Sequence, residues 1–93
     1  MTLHIINQSP LGGSALQDCL GSFVEGDALL LIEDAVYAAA SPAEHKLPQG
    51  QVFALAADAQ ARGVTLAQAV TGIDETAWVD LCVAHTPIVS WFR

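Results

Sequence analysis

The sequence predicts a small three-layer α/β/α domain built around a mainly parallel sheet of about five strands. Three observations carry the expectation. Short apolar stretches alternate with helical signals along the whole chain. The stretch "ALLLI", Ala28 to Ile32, is apolar without interruption, which suits a strand covered on both faces. Finally, 93 residues leave room for one domain, 1–93, and no second.

The elements follow in order. "LHII" (Leu3 to Ile6) reads as the first strand. Ser14 with Gln17 three residues on spells a capping box, so a helix is expected from Ala15 towards Gly26. "ALLLI" is the second strand. Ser41-Pro42-Ala43-Glu44 repeats the capping logic with proline at the first helical position, and Pro48 limits that helix to a turn or two. "QVFAL" (Gln51 to Leu55) is a third strand. "DAQARG" has an aspartate at its start, an arginine in its last turn and Gly63 at the C-terminal cap. "AQAVTGI" holds a weaker strand around Val70. "DETAWVDLCVAH" takes Asp74 as N-cap and stops before Pro87, and "IVSWF" (Ile88 to Phe92) closes the series. Strand order is not legible at this level.

Composition narrows the function. Apolar residues make up 53% of the chain, generous for a lone small domain. A partner subunit covering part of that surface is the expectation; a compact monomer with buried strands is the alternative. Ten acidic residues against three basic ones give a net charge of -7. Only Lys46, Arg62 and Arg93 could neutralise phosphate, which argues against direct nucleic-acid binding and against anionic membranes. The N-terminus lacks the basic and apolar regions of a signal peptide, and "ALLLI" is far short of a membrane span. A soluble cytoplasmic protein is expected, with Cys19 and Cys82 as free thiols in a reducing compartment.

Candidate chemistry gathers in "NQSPLGGSALQDCL", Asn7 to Leu20. Gly12-Gly13 before a helix start could aim backbone N–H groups at an anion. Neither the dinucleotide fingerprint nor the phosphate-loop lysine is present, so a tight turn competes with a small anion- or nucleotide-binding module. Leu16, Leu20 and Phe23 define an apolar stripe on the first helix, with Cys19 on its flank, about 60–70° from its centre. Cys19 is therefore either a small core residue or a thiol reachable from outside. Nothing beside it in sequence would activate it, and Asp18 would raise its pKa. Cys82, four residues after Trp78, reads as core.

Cys82-x-x-His85 gives two ligands at helical spacing but no second pair, so no metal site and no cofactor are expected. His4 reads as a strand histidine with a satisfied hydrogen bond, and Asp34 as a cap for the next helical turn. Trp91 and Phe92, at the chain end, point to core packing or to a subunit contact.

Taken in order, "LHIINQSP", "LQDCL", "EGDALLLIEDAVYAA" and "ALAADAQARG" resemble the TusB/DsrH family, over essentially the whole chain. The resemblance implies a DsrEFH-like fold and a small subunit of a heterohexameric sulfurtransferase, two copies each of three related chains. The implied sisters are TusC/DsrF-like and TusD/DsrE-like, with a TusA-like donor and a TusE-like acceptor, serving 2-thiolation of the tRNA wobble uridine. In sulfur oxidisers the equivalent complex works with reverse dissimilatory sulfite reductase. The principal sulfur-carrying cysteine belongs to the TusD/DsrE-type chain. Cys19 falls where DsrH-type sequences have a cysteine and some TusB-type sequences have none, which makes it a candidate auxiliary persulfide carrier. The resemblance thus implies an accessory subunit, with assembly as its main role.

Overall fold

The computed structural model of the chain describes residues 1–92, so Arg93 lies outside the described residues. Five strands, β1 (Leu3–Ile6), β2 (Ala28–Leu31), β3 (Val52–Leu55), β4 (Thr71–Ile73) and β5 (Ile88–Trp91), form one sheet in the order β4-β3-β2-β1-β5. Every neighbouring pair is parallel. The chain thus steps from β1 outward to β4, then returns to place β5 on the other side of β1. All four residues of β1 and of β2 are buried, as expected of central parallel strands covered on both faces.

Three helices, α1 (Ala15–Ser22), α2 (Ala56–Ala61) and α3 (Glu75–Ala84), and a 3₁₀ segment (Glu33–Ala40) connect the strands. Alternation along the strands sorts the apolar side chains into two cores. Ile6, Leu29, Leu31, Val52 and Ala54 face α1, the 3₁₀ segment and α2. Leu3, Ile5, Leu30, Leu55 and Ile73 face the opposite way, against Ala77, Trp78, Leu81 and Cys82 of α3. One face is therefore well covered, and the other carries a single helix.

The helix ends explain themselves locally. Asp74 caps α3 by accepting the Ala77 N–H at 2.8 Å. After α2, Gly63 takes a φ of 66°, and its N–H and that of Val64 bond the Gln60 and Ala59 carbonyls. That pairing is a Schellman closure, and it needs a residue content in the left-handed region.

Four local expectations are corrected. The capping box at Ser14 does not form: its hydroxyl donates to the Asp18 carboxylate at 3.1 Å, while the Ala15 N–H turns to the Gln8 side chain. Helix α1 ends at Ser22 rather than near Gly26, because Phe23 adopts extended backbone and turns back over the sheet. Residues 42–46 form hydrogen-bonded turns rather than a helix. Asp34 caps nothing. It lies inside the 3₁₀ segment and accepts from Nε of Arg62 at 2.9 Å, while Asp58 takes the Glu33 N–H.

Candidate functional site

The opening loop closes on itself. The Gly12 N–H bonds the Ser9 carbonyl and the Leu11 N–H bonds the Ser9 hydroxyl. At Gly13 the end of the Gln8 side chain occupies the space where a Cβ would stand. The Leu11 and Gly12 amides are thus spent within the turn rather than aimed at a ligand. Asn7 Oδ1, covered and without a hydrogen-bond partner among the described residues, is an acceptor and has the wrong polarity for an anion. The loop is a strand-to-helix connection.

Cys19 does not sit on a flank. It is fully buried, and the covered face of α1 is centred on Ala15, Leu16 and Cys19. Phe23 misplaces the stripe when counted as helical, since it has already left the helix. Burial, and after it the Asp27 carboxylate, push the Cys19 thiol up to about 12. The carboxylate that acts on the thiol is thus Asp27, distant in sequence, and not the adjacent Asp18.

Asp27 belongs to a buried polar chain. His4 points from β1 into the same layer as Cys19, and its Nε2 lies 2.9 Å from Asp27 Oδ2. The other ring nitrogen, Nδ1, receives the indole N–H of Trp91 at 3.1 Å. An indole nitrogen only donates, so Nδ1 accepts and the proton of the neutral ring sits on Nε2, donated to Asp27. Asp27 also accepts from the Thr2 and Val24 amides at 2.9 and 3.2 Å. Burial pushes the Asp27 carboxyl up, but the hydrogen bonds from His4 and the two amides outweigh it and bring its pKa down to about 2. Phe23 lies over the imidazole, ring centroids 5.3 Å apart.

This chain has the residue types of a Cys-His-Asp nucleophile site without its wiring. A general base needs a ring nitrogen facing the thiol. Both nitrogens of His4 are already engaged, by Asp27 and by Trp91. The arrangement pins β5 to β1, and its Asp27 charge disfavours a thiolate at Cys19 rather than drawing a proton from it.

Cys82 packs on the core as expected, but only half-buried. It touches the α3-side core but also lines a surface groove, and is the more open of the two thiols. His85, three residues on, turns its Nδ1 to the Leu81 carbonyl at 2.9 Å, closing the end of α3. Among the described residues no three His, Cys, Asp or Glu side chains converge as a metal-binding cluster. Among those residues no helix is long and apolar enough to cross a membrane.

Asp27 and Trp91 are the site residues that sequence reasoning missed. A signal for the first existed: a lone acid between Gly26 and the apolar run of β2 is placed to be buried.

Fold and site together define a small parallel α/β protein of the open-sheet kind, with a sealed thiol and one thinly covered sheet face. The crystal structure of the ychN protein of E. coli has this fold, with a TM-score of 0.72 at 14% identity over 96% of this chain and 97% of that one. A family profile described as "DsrH like protein" matches residues 8–88. Protein TusB of Pectobacterium parmentieri is 37% identical over 95 residues, covering 96% of this chain and 99% of that protein. Protein TusB of Pectobacterium atrosepticum is 35% identical with the same coverage. The chain belongs to the TusB/DsrH family.

Proposed function

We propose that this chain is an accessory subunit of a heterohexameric sulfurtransferase, a cytoplasmic relay passing persulfide sulfur between carrier proteins for 2-thiolation of the tRNA wobble uridine. TusC/DsrF-like and TusD/DsrE-like chains are its sisters, a TusA-like protein the donor and a TusE-like protein the acceptor. Family membership supports the relay; the net charge of -7 fits a component that leaves the tRNA to others.

The observation that carries the division of labour is the state of Cys19. Sulfur passes when a thiolate attacks an outer sulfur. A thiol raised to about 12 leaves on the order of one thiolate in 10⁵ at pH 7. The chain therefore serves as a wall of the assembly, and the sulfur-carrying thiol belongs to a sister. Auxiliary carriage by Cys19 requires α1 to lift from the sheet on assembly.

The test is co-expression with the two sister chains, then loading with a persulfidated donor and mapping of adducts by mass spectrometry. The expected result is a stable complex whose sulfur load is unchanged by Cys19→Ser. A chain that stays a monodisperse monomer beside both sisters sinks the reading. An adduct on Cys19 with a slower transfer in the serine variant makes it a carrier instead.

The cysteine at the DsrH-type position favours a second reading, sulfur oxidation with reverse dissimilatory sulfite reductase. A deletion strain separates the two: loss of thiolated tRNA marks the first, intact thiolation with impaired sulfur oxidation the second.

A further inference from the structure

Helix α3 is built for more cover than this chain gives it. Seven of its ten residues are apolar, yet none is buried. A helix apolar on all sides belongs inside a larger body. Its inner side, Ala77, Trp78, Leu81 and Cys82, rests on the sheet. Its outer side leaves Val79 61% and Val83 83% exposed, one turn apart. Between the helix and β1 runs a groove of about 540 Å³, lined by Ile5, Glu75, Trp78, Val79, Cys82 and Val83. The parallel register pairs Leu3 with Ile88, so exposed Ile88 of β5 lies on this same sheet face and extends the apolar surface beyond the groove.

Among the described residues, the charged side chains around it have one sign. Asp74, Glu75 and Asp80 are exposed on or beside α3, and from Gly63 to Phe92 the sequence holds no Lys or Arg. Arg62 is occupied by Asp34, and Lys46 lines a different cleft, beside α1. Two copies meeting through this surface would set acid against acid, which costs both affinity and encounter rate.

We propose that the groove between α3 and β1 is a docking surface for a different chain, one that presents an apolar ridge bordered by Lys or Arg side chains. The assignment rests on the assembly reading above and names the surface that serves it. The apolar centre supplies the burial, with Trp78 as the aromatic anchor, and the acidic rim supplies orientation and partner choice.

Cys82 reports on the groove without any substitution. In the isolated chain a maleimide should label Cys82; in the complex assembled with the two sister chains, labelling should slow at least tenfold. A double variant, Val79→Asp with Val83→Asp, alters exposed positions only. It should keep the far-UV spectrum and Tm of the isolated chain while its retention by tagged sister chains falls at least tenfold. Leu11→Asp, placed at a fully exposed site outside the groove, should assemble like the unaltered chain. Reversal of the rim, Glu75→Lys with Asp80→Lys, should weaken assembly and flatten its salt dependence.

Equal labelling of Cys82 free and assembled, or normal assembly by the double aspartate variant, overturns the docking surface and leaves the family-based reading standing. An equal loss with Leu11→Asp overturns it as well. Unchanged affinity after rim reversal, or a closed homodimer that protects Cys82, overturns the choice of a basic partner. Failure of the unaltered chain to assemble overturns the functional reading and this surface together.

Discussion

Trp91 donates its indole N–H to Nδ1 of His4 across 3.1 Å and 87 residues of sequence. The last strand of the sheet is thereby fastened to the first, by a side chain as well as by the β1–β5 ladder. The bond also decides what His4 is, since a ring whose two nitrogens are both engaged has none left to accept a proton from Cys19.

Removing that donor has a defined cost. Trp91→Phe keeps an aromatic ring against the core but leaves His4 Nδ1 buried and unpaired. The expected loss is about 1–2 kcal/mol, a fall in Tm of about 5–15 °C, readable by calorimetry. A variant as stable as the parent would mean that the bond contributes nothing.

Asp27 sets the acid limb. Its folded pKa of about 2 lies below the ordinary 3.8, so the unfolded chain takes up the proton first as pH falls. Its stabilising contribution is complete above pH 3.8 and is lost as the pH drops through about 2. Urea titrations of the parent and of Asp27→Asn should therefore show a gap that is constant near neutrality and narrows across this window. A gap independent of pH there would exclude the carboxylate as the source.

Cys19 sets the alkaline limb with the opposite sign. The unfolded thiol ionises around 9.0, while the folded one keeps its proton to about 12. Between those values the unfolded state binds fewer protons, so stability declines as pH rises. Cys19→Ala should remove this part of the decline.

The two thiols should also separate kinetically. With a disulfide reagent at pH 8, Cys82 is expected to react in the folded chain and Cys19 only on unfolding, at least a hundredfold more slowly. Comparable rates would show that α1 opens readily.

At Gly63 the backbone itself is testable. Gly63→Ala places a Cβ at a φ of 66° and should cost about 1–2 kcal/mol in denaturant unfolding, with little change in the thiol reactivities.

How far the sequence reaches depends on the range of the force concerned. Apolar runs and turn residues act over a few positions, so the five strands, the Asp74 cap and the Gly63 stop are all legible in it. The ends of α1 and the turns at 42–46 are less so. There, capping signals competed with contacts arriving from elsewhere, Gln8 at Ala15 among them. The burial of Cys19 was beyond reach for a related reason: a helical wheel assumes the helix continues, and this one stops one residue before Phe23.

By itself, then, the sequence determined an acidic, apolar, parallel α/β chain of the TusB/DsrH family, because composition and local pattern survive any folding. Only the tertiary structure decided which thiol is sealed and which faces a groove. It alone joined His4, Asp27 and Trp91, since burial and pairing depend on strand order, and strand order leaves no mark on neighbouring residues.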